Sequence, residues 1–262
     1  MANYVMNSFV EVPQPNKLNN FIFNDEGDID FNVLCPMPKE LELLDGSITA
    51  LTSYDTNNDY FPFAIQAKDF NEYKSLIRLR FNIDIPDIKT QDEFYNLQSN
   101  QIKQLKPIIE AYNYAKYGAT GWYDWRRNNW GTKWNACEPQ NREFQTAWVA
   151  PTGWLRALAK KCDFTLLYAD EDIGSNCGII IAKNRSLYIQ NESVPLEQTQ
   201  TFAYCVWGYD IDEQLNNYED EKDIERLKYM AKEKYTLLEE FFRLQGCEDV
   251  FKRISKDLMV RF

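Results

Sequence analysis

The stretch from residue 143 to residue 191 places the strongest constraint on the fold of this chain. Its hydrophobic pattern predicts a strand, a helix and then three further strands with short connections between them. Pro151 stands at the first turn of the helix, and Asn184 and Arg185 form a two-residue connection typical of a β-hairpin. The predicted strands are 143–149, 164–169, 177–183 and 186–191. Strands that alternate with a helix and end in a hairpin predict an α+β fold.

The remaining segments extend this fold and interrupt it once. Alternating hydrophobic residues predict a strand over residues 3–12, and a second extended segment follows at 28–35. Helical spacing predicts a helical insertion at 50–118 and a long amphipathic C-terminal helix at 215–246. We therefore predict one α+β domain over residues 1–262, with a ferredoxin-like antiparallel sheet covered by helices on one side.

The chain contains no histidine, and this excludes more chemistry than any other single property. Histidine is the commonest general base near neutral pH and the commonest metal ligand, so Ser-His-Asp and Cys-His catalysis and histidine zinc sites are excluded. The six cysteines lack the paired spacing of a four-cysteine zinc site, and we interpret them as reduced core residues. We expect no catalytic residue, no metal and no cofactor.

Charge and hydropathy patterning restrict the location and the partners. The opening residues MANYVMNSFV lack the features of a secretory signal, and no hydrophobic run approaches the length of about 18 residues typical of a transmembrane helix. Forty acidic against 29 basic residues give a net charge of −11, which disfavours broad binding to nucleic acid or to an anionic membrane. We expect a cytoplasmic protein.

The segment 122–135, WYDWRRNNWGTKWN, holds four of the seven tryptophans. One interpretation is that the indoles fill a core and that the polar residues satisfy their N–H groups. The other is a stacking platform, in which the rings bind the face of a base while arginine and lysine neutralise phosphate. The second interpretation gives as candidate ligand-binding residues Trp125, Arg126, Arg127, Trp130, Lys133, Trp134 and Asn135.

Several segments carry a resemblance to a known family. In chain order they are MANYVMNSFVEV, DFNVLCPMPKEL, YDWRRNNWGTKWNA, FQTAWVAPTGWLRALAKKCD and LLYADEDIG. Together they resemble the YubB-like family of phage and conjugative-plasmid proteins, which carry a ferredoxin-like domain. The resemblance covers residues 1–45 and 120–183, and WGTKW is its most specific part. It implies a protein of a mobile element acting in a bacterial host, where small binding proteins often neutralise host factors or immunity, and it implies no reaction.

Three functional hypotheses follow. The first is a non-catalytic binding protein that masks the surface of a host protein, such as a component of bacterial defence; its acidic balance suits a basic target. The alternative is a sponge that sequesters a nucleotide or phosphorylated small molecule on the tryptophan-rich segment. An enzyme is third, and its only support is the run Asp170, Glu171 and Asp172, which is also typical of a solvated turn. The sequence leaves the oligomeric state open.

Overall fold

The computed structural model describes residues 3–45, 56–214 and 220–260. Within them the strands are β1 Tyr4–Glu11, β2 Cys137–Gln140, β3 Glu143–Ala147, β4 Phe164–Asp170, β5 Cys177–Lys183 and β6 Ser186–Gln190. The α-helices are α1 Pro15–Ile22, α2 Phe31–Leu34, α3 Phe61–Gln66, α4 Phe70–Phe81, α5 Gln91–Tyr95, α6 Ser99–Tyr117, α7 Trp122–Asn129, α8 Thr152–Ala159, α9 Leu196–Trp207, α10 Ile211–Gln214, α11 Glu221–Leu244 and α12 Glu248–Met259. A 3₁₀ helix, η1, spans Lys39–Leu43.

The chain divides into two compact units. The sheet unit comprises Met1–Cys35 and Gly131–Phe262, and the helical unit comprises Pro36–Trp130. The predicted insertion at 50–118 falls within the helical unit, and its residues 50–55 lie outside the described residues. The prediction of one domain over the whole chain stays a prediction.

The sheet unit has the ferredoxin-like arrangement. Its strand order is β2-β3-β1-β4-β5-β6, and every neighbouring pair is antiparallel. Helix α1 follows β1 and α8 connects β3 to β4, so β1, α1, β2, β3, α8 and β4 form a β-α-β-β-α-β series. The hairpin strands β5 and β6 extend the sheet beyond β4. The predicted fold class is therefore confirmed, and the helical unit is inserted between the first helices and β2.

Helices cover both faces of the sheet. On one face, rings from β1, β3 and β4 pack with α2 and α8; these rings are Phe9, Phe31, Phe144, Trp154 and Phe164. On the other face, apolar side chains of β4 and β5 pack against α9, α11 and α12; the largest contributors from these helices are Phe202, Phe241, Phe242 and Phe251. Because all seven residues of β4 are buried, the prediction that helices cover only one side is wrong.

The long C-terminal helix is confirmed as α11, Glu221–Leu244. Residues 215–219 of the predicted range 215–246 lie outside the described part of the chain. The extended segment predicted at 28–35 is wrong, because Phe31–Leu34 forms α2. The Asp30 side chain accepts a hydrogen bond from the Asn32 N–H at 2.8 Å, and this cap starts the helix.

The helical unit has its own apolar core. Helices α3, α4 and α6 meet around buried side chains that include Tyr73, Ile77, Ile108 and Tyr112. The Tyr73 hydroxyl donates to the Ile108 carbonyl at 3.0 Å, which satisfies a polar group inside this core. The helical spacing read from this part of the sequence thus corresponds to helices that bury one face.

Candidate functional site

The seven predicted ligand-binding residues fall in both units. Trp125, Arg126, Arg127 and Trp130 belong to the helical unit, where α7 carries the first three. Lys133, Trp134 and Asn135 belong to the sheet unit, in the segment that leads into β2.

In the helical unit the predicted residues form a buried cluster. Trp125 and Trp130 are 8% and 0% exposed, and their rings meet edge to face with centroids 5.7 Å apart. The Arg126 guanidinium lies 4.8 Å from the Trp122 ring centroid and 5.2 Å from that of Trp130. The ring faces that a base would need are thus covered by protein. For these residues the structure favours the core interpretation.

Burial also affects Arg126 itself. Removal from water lowers the pKa of its guanidinium, and the nearby Glu42 opposes that change. Its Nε is buried and has no hydrogen-bond partner among the residues described. Arg127, in contrast, is exposed, and its guanidinium lies 5.5 Å from the Tyr123 ring centroid. Cation–π contacts with the indoles contribute to holding the Arg126 charge inside this unit.

Asn135 has a structural role in the sheet unit. Its Oδ1 accepts hydrogen bonds from the N–H groups of Phe31 at 2.8 Å and Ala136 at 2.9 Å. Its Nδ2 donates to Asp30 Oδ1 at 2.8 Å. The amide therefore ties the tryptophan-rich segment to the start of α2.

Lys133 and Trp134 lie at one end of the sheet with a tryptophan outside the predicted set, Trp148. The Lys133 ammonium is 4.5 Å from the Trp134 ring centroid and 5.2 Å from that of Trp148. The Trp134 ring also meets the Tyr4 ring, with centroids 6.5 Å apart. Trp148 is 39% exposed and Trp134 is half-buried. Here the rings and the cation do reach the surface.

The backbone at Trp148 is strained and firmly held. Its φ is +67°, a region that bulky residues rarely adopt. The Trp148 N–H donates to the Asn3 carbonyl at 2.8 Å, and its carbonyl accepts from Asn176 Nδ2 at 2.9 Å. Such strain persists only where the surroundings impose it, and it occurs often at binding sites.

Asp170, the last residue of β4, organises the same end of the sheet. Its carboxylate accepts from Asn176 Nδ2 at 3.0 Å, from the Asp172 N–H at 2.9 Å and from Asn3 Nδ2 at 3.5 Å. Asp170 is buried, whereas Glu171 and Asp172 are exposed. The buried carboxylate thus orders the turn, and the other two remain at the surface beside it.

Two more aromatic residues join this end, one from the last residue of α9 and one just after that helix. The indole Nε1 of Trp207 donates to the carbonyls of Ala169 and Asp170, at 3.1 and 3.0 Å. The Trp207 ring stacks on that of Tyr209 with centroids 5.7 Å apart, and Tyr209 is 40% exposed. Burial and the charge of Glu171 raise the pKa of the Tyr209 hydroxyl.

These residues define what we call the aromatic surface: Tyr4, Lys133, Trp134, Trp148, Trp207 and Tyr209, arranged around Asp170. Trp148, Trp207 and Tyr209 were missed by sequence reasoning, because they lie outside the tryptophan-rich segment 122–135. One signal was present. In a ferredoxin-like sheet the first strand runs antiparallel to its two neighbours, so its start lies beside the ends of both. Here the start of β1 pairs with the end of β3, which Trp148 follows, and with the end of β4, which is Asp170.

The predicted residues do not line the cavities described in the sheet unit. A cavity of about 680 Å³ is bordered by Phe9, Asn19, Phe23 and Arg142, and another of about 290 Å³ lies beside Lys17 and Arg185. Among the residues described, no group of three or more histidine, cysteine, aspartate or glutamate side chains is placed to hold a metal ion. No helix in the same residues has the length and apolar character needed to cross a bilayer.

Comparison with known proteins supports the domain type. Residues 129–223 match a family model described as the ferredoxin-like domain in Api92-like protein. The match runs from the end of α7 through β2–β6 to the start of α11, and it includes Lys133, Trp134 and Trp148. The comparison with curated proteins gave no match, and neither did the comparison with solved structures. The ferredoxin-like domain is thus supported, and the closer resemblance to the YubB-like family stays a prediction.

Proposed function

We propose that this chain is a non-catalytic binding protein that captures a protein partner on the aromatic surface. The observation that carries the proposal is the exposure of Trp148 and Tyr209 on a rigid frame centred on Asp170. Tryptophan and tyrosine are enriched among residues that dominate binding energy in protein interfaces. They offer a large contact area at a small cost in side-chain entropy.

Rigidity supports this assignment. Trp148 is held by hydrogen bonds on both sides of its peptide, and Trp207 is held by two backbone carbonyls. A surface that is ordered before binding loses less entropy when the partner docks, and this raises the affinity. The aromatic surface is therefore suited to recognition by shape.

Charge indicates the kind of partner. Glu171 and Asp172 are exposed beside the aromatic surface, and the whole chain carries a net charge of −11. An acidic protein is steered electrostatically toward a basic surface, and acidic groups next to aromatic anchors favour a basic rim on the partner. The proposed partner is a host protein with a basic surface, in the cytoplasm of a bacterium.

The setting of the proposal comes from the resemblance to phage and conjugative-plasmid proteins. In that setting the partner is a component of bacterial defence, and capture neutralises it by masking its surface. Expression of the chain in bacteria that carry a defence system should then restore phage plating, and Trp148→Ala should abolish the restoration. Equal restoration by the wild-type chain and this variant would contradict the role of the aromatic surface.

The direct experiment is capture from host lysate followed by measurement with the purified partner. Trp148→Ala and Tyr209→Ala should each weaken the affinity about 30-fold, the equivalent of about 2 kcal/mol for an interface anchor. Tyr188→Ala is the matched control, since Tyr188 is 52% exposed on β6 and lies outside the aromatic surface. Circular dichroism establishes that each variant folds. If the control weakens binding as much as the two variants, the partner docks elsewhere.

A nucleotide sponge is the second candidate, and the position of Lys133 over two indoles favours it. In this case a base stacks on Trp148 and Lys133 turns toward phosphate. Calorimetry with mono-, di- and cyclic nucleotides should then give heat that Lys133→Ala abolishes without loss of folding. Absence of heat with the wild-type chain across this panel would rule the sponge out.

A further inference from the structure

A second feature of the sheet unit lies outside the aromatic surface. A cavity of about 290 Å³ is formed where the start of α1, the end of α8 and the turn between β5 and β6 come together. Four basic residues line it: Lys17, Lys160, Lys161 and Arg185. Asp163 is the single carboxylate among the described residues that line it, in a chain where acidic residues outnumber basic ones.

The four cations form no ion pair within the part of the chain that the structure describes. Lys161 contacts an aromatic ring instead, with its ammonium 5.6 Å from the Phe21 ring centroid. Asp163 Oδ1 accepts a hydrogen bond from the Asn184 N–H at 3.0 Å, so this carboxylate is engaged by the turn. Like charges so close together repel, and an anion between them would remove that cost.

Lys17 occupies a position where a lysine is unfavourable. It lies in the first turn of α1, at the positive end of the helix dipole, where acidic residues are preferred. Helix α1 has no acidic residue in that turn, and Gln14 at its N-cap makes no capping hydrogen bond through its side chain. Lys160 and Lys161 follow the C-terminal end of α8, where cations are favourable for the helix alone, so Lys17 is the residue that needs another explanation.

Arg185 also occupies an unfavourable position. The turn residues Asn184 and Arg185 have φ of +53° and +65°, the conformation of a type I′ hairpin turn. Glycine is strongly preferred at the second of these positions, and a long side chain there strains the backbone. Residues that break a local rule without a local gain are expected at functional sites. Lys17 and Arg185 both break such a rule, and both border the same cavity.

We propose that this cavity binds a small ligand that carries two or three linked phosphate groups. Lysine ammonium and arginine guanidinium groups are the usual partners of phosphate oxygens, and the guanidinium can bind two of them at once. A volume of about 290 Å³ is at the lower end of small-molecule pockets, so the ligand is compact. Linked phosphates place several negative charges within such a volume, which matches four cations better than a single phosphate does.

The same features argue against a nucleic-acid strand as the ligand. A strand is bound by cations spread along a groove, and its affinity depends on many phosphate contacts. Here the cations surround one small cavity on a protein of net charge −11. This proposal uses no residue of the aromatic surface, and it does not depend on the proposed function.

The test is calorimetric titration of the whole chain at low salt with inorganic pyrophosphate, with sulfate and with single-stranded DNA. We expect one pyrophosphate to bind per chain, more tightly than sulfate and more tightly than the DNA. Lys17→Gln and Arg185→Gly should each weaken pyrophosphate binding about tenfold, as expected for loss of one charge-assisted hydrogen bond. Asp163→Asn should tighten it, because a negative charge is removed.

Lys183→Gln is the matched control, since it removes the same charge from the same hairpin outside the cavity lining. It should change pyrophosphate affinity less than twofold. Arg185→Gly also keeps the turn and should not lower the melting temperature, so lost binding cannot reflect unfolding. The proposal is overturned if pyrophosphate gives no heat, if sulfate binds equally well, if Lys183→Gln weakens binding as much as Lys17→Gln, or if DNA binds more tightly through the same cations.

Discussion

Replacing Gly131 with alanine tests how closely this residue packs against α8 within the sheet unit. Gly131 is the glycine of the WGTKW motif, and its φ is +88°. A Cβ added there would lie 2.9 Å from the Gly153 nitrogen and 3.0 Å from the Thr152 nitrogen. Both are backbone atoms in the first turn of α8, so neither can move without shifting the helix. The neighbouring Thr132 hydroxyl donates to the Ala147 carbonyl at 2.9 Å, which holds the segment against β3.

The magnitude follows from two separate costs. A left-handed backbone costs a non-glycine residue about 1 kcal/mol, and forcing a methyl group against a fixed neighbour costs about 1 to 3 kcal/mol more. Gly131→Ala should therefore lower the free energy of unfolding by about 2 to 4 kcal/mol. Gly27 has the same φ of +88° and no atom within 4 Å of the added Cβ, so Gly27→Ala should show only the first cost.

The assay is urea unfolding followed by circular dichroism on the wild-type chain and both variants. Both glycines belong to the sheet unit, so the comparison refers to the same unit. The difference between the urea midpoints of the two variants, multiplied by their common slope, gives the difference in free energy of unfolding. It should equal the cost of the clash alone, about 1 to 3 kcal/mol. Equal midpoints would refute the argument that close approach of α8, in addition to the turn conformation, requires glycine in this motif.

Three further predictions concern side chains of the sheet unit. Asp170→Asn should lower the free energy of unfolding measured in urea by about 1 to 3 kcal/mol, because the buried carboxylate accepts hydrogen bonds from several donors. Asp172→Asn should change this free energy little. The reverse order of the two variants would contradict the organising role of Asp170. Burial raises the pKa of the Cys177 thiol from 9.0 to about 12, so the thiol of the unfolded state loses its proton first and the free energy of unfolding falls as pH rises through this range. Cys177→Ala should therefore reduce the fall in the urea midpoint over this range. An unchanged pH profile in the variant would contradict this prediction. Burial opposes ionisation of Glu11, but the hydrogen bond from Arg253 lowers the pKa of the Glu11 carboxyl below 4.5. The pair therefore stabilises the fold above pH 4.5, and this stability is lost as pH falls through the lowered pKa. Arg253→Gln should make the urea midpoint less dependent on acid pH, and a steeper dependence would exclude this reasoning.

The strands and helices that sequence reasoning found are those with strong hydrophobic periodicity. Strands β1 and β3–β5 and helices α8 and α11 bury apolar side chains at regular spacing, so their pattern is visible without the structure. Strand β6 buries none of its residues, and the two-residue hairpin connection at Asn184 and Arg185 predicted it. Strand β2 was missed because it is four residues long and contains Pro139, which a central strand would exclude. It lies at the edge of the sheet, where proline is tolerated.

Errors near the N-terminus have local causes. Helix α1 was not predicted; it begins at Pro15, a position that suits proline because its missing N–H would have no partner there. The segment 28–35 was interpreted as extended, and the cap at Asp30 overrides that preference. Helices α9 and α12 were missed, and their burial against the second face of the sheet explains why one covered face was predicted where there are two.

The candidate site was predictable only in part. Dense indoles identified the segment 122–135 as an organising region, but local sequence does not encode which ring faces solvent. Trp125 and Trp130 are buried, whereas Trp134 lies beside the exposed Trp148, because the segment passes from one compact unit to the other at Trp130. The aromatic surface depends on pairing between strands distant in the chain, and a single sequence does not give that register.

The two proposed sites of the sheet unit lie at opposite ends of one strand. Asp163, beside the basic cavity, immediately precedes β4, and Asp170, at the centre of the aromatic surface, ends it. At about 3.3 Å per residue, the seven steps from Asp163 to Asp170 correspond to about 23 Å. Substitutions so far apart, with no shared partner, should act additively. The double variant Arg185→Gly with Trp148→Ala should therefore lose as much pyrophosphate affinity as Arg185→Gly alone and as much affinity for the protein partner as Trp148→Ala alone. A departure from this additivity would mean that β4 transmits a change between its two ends.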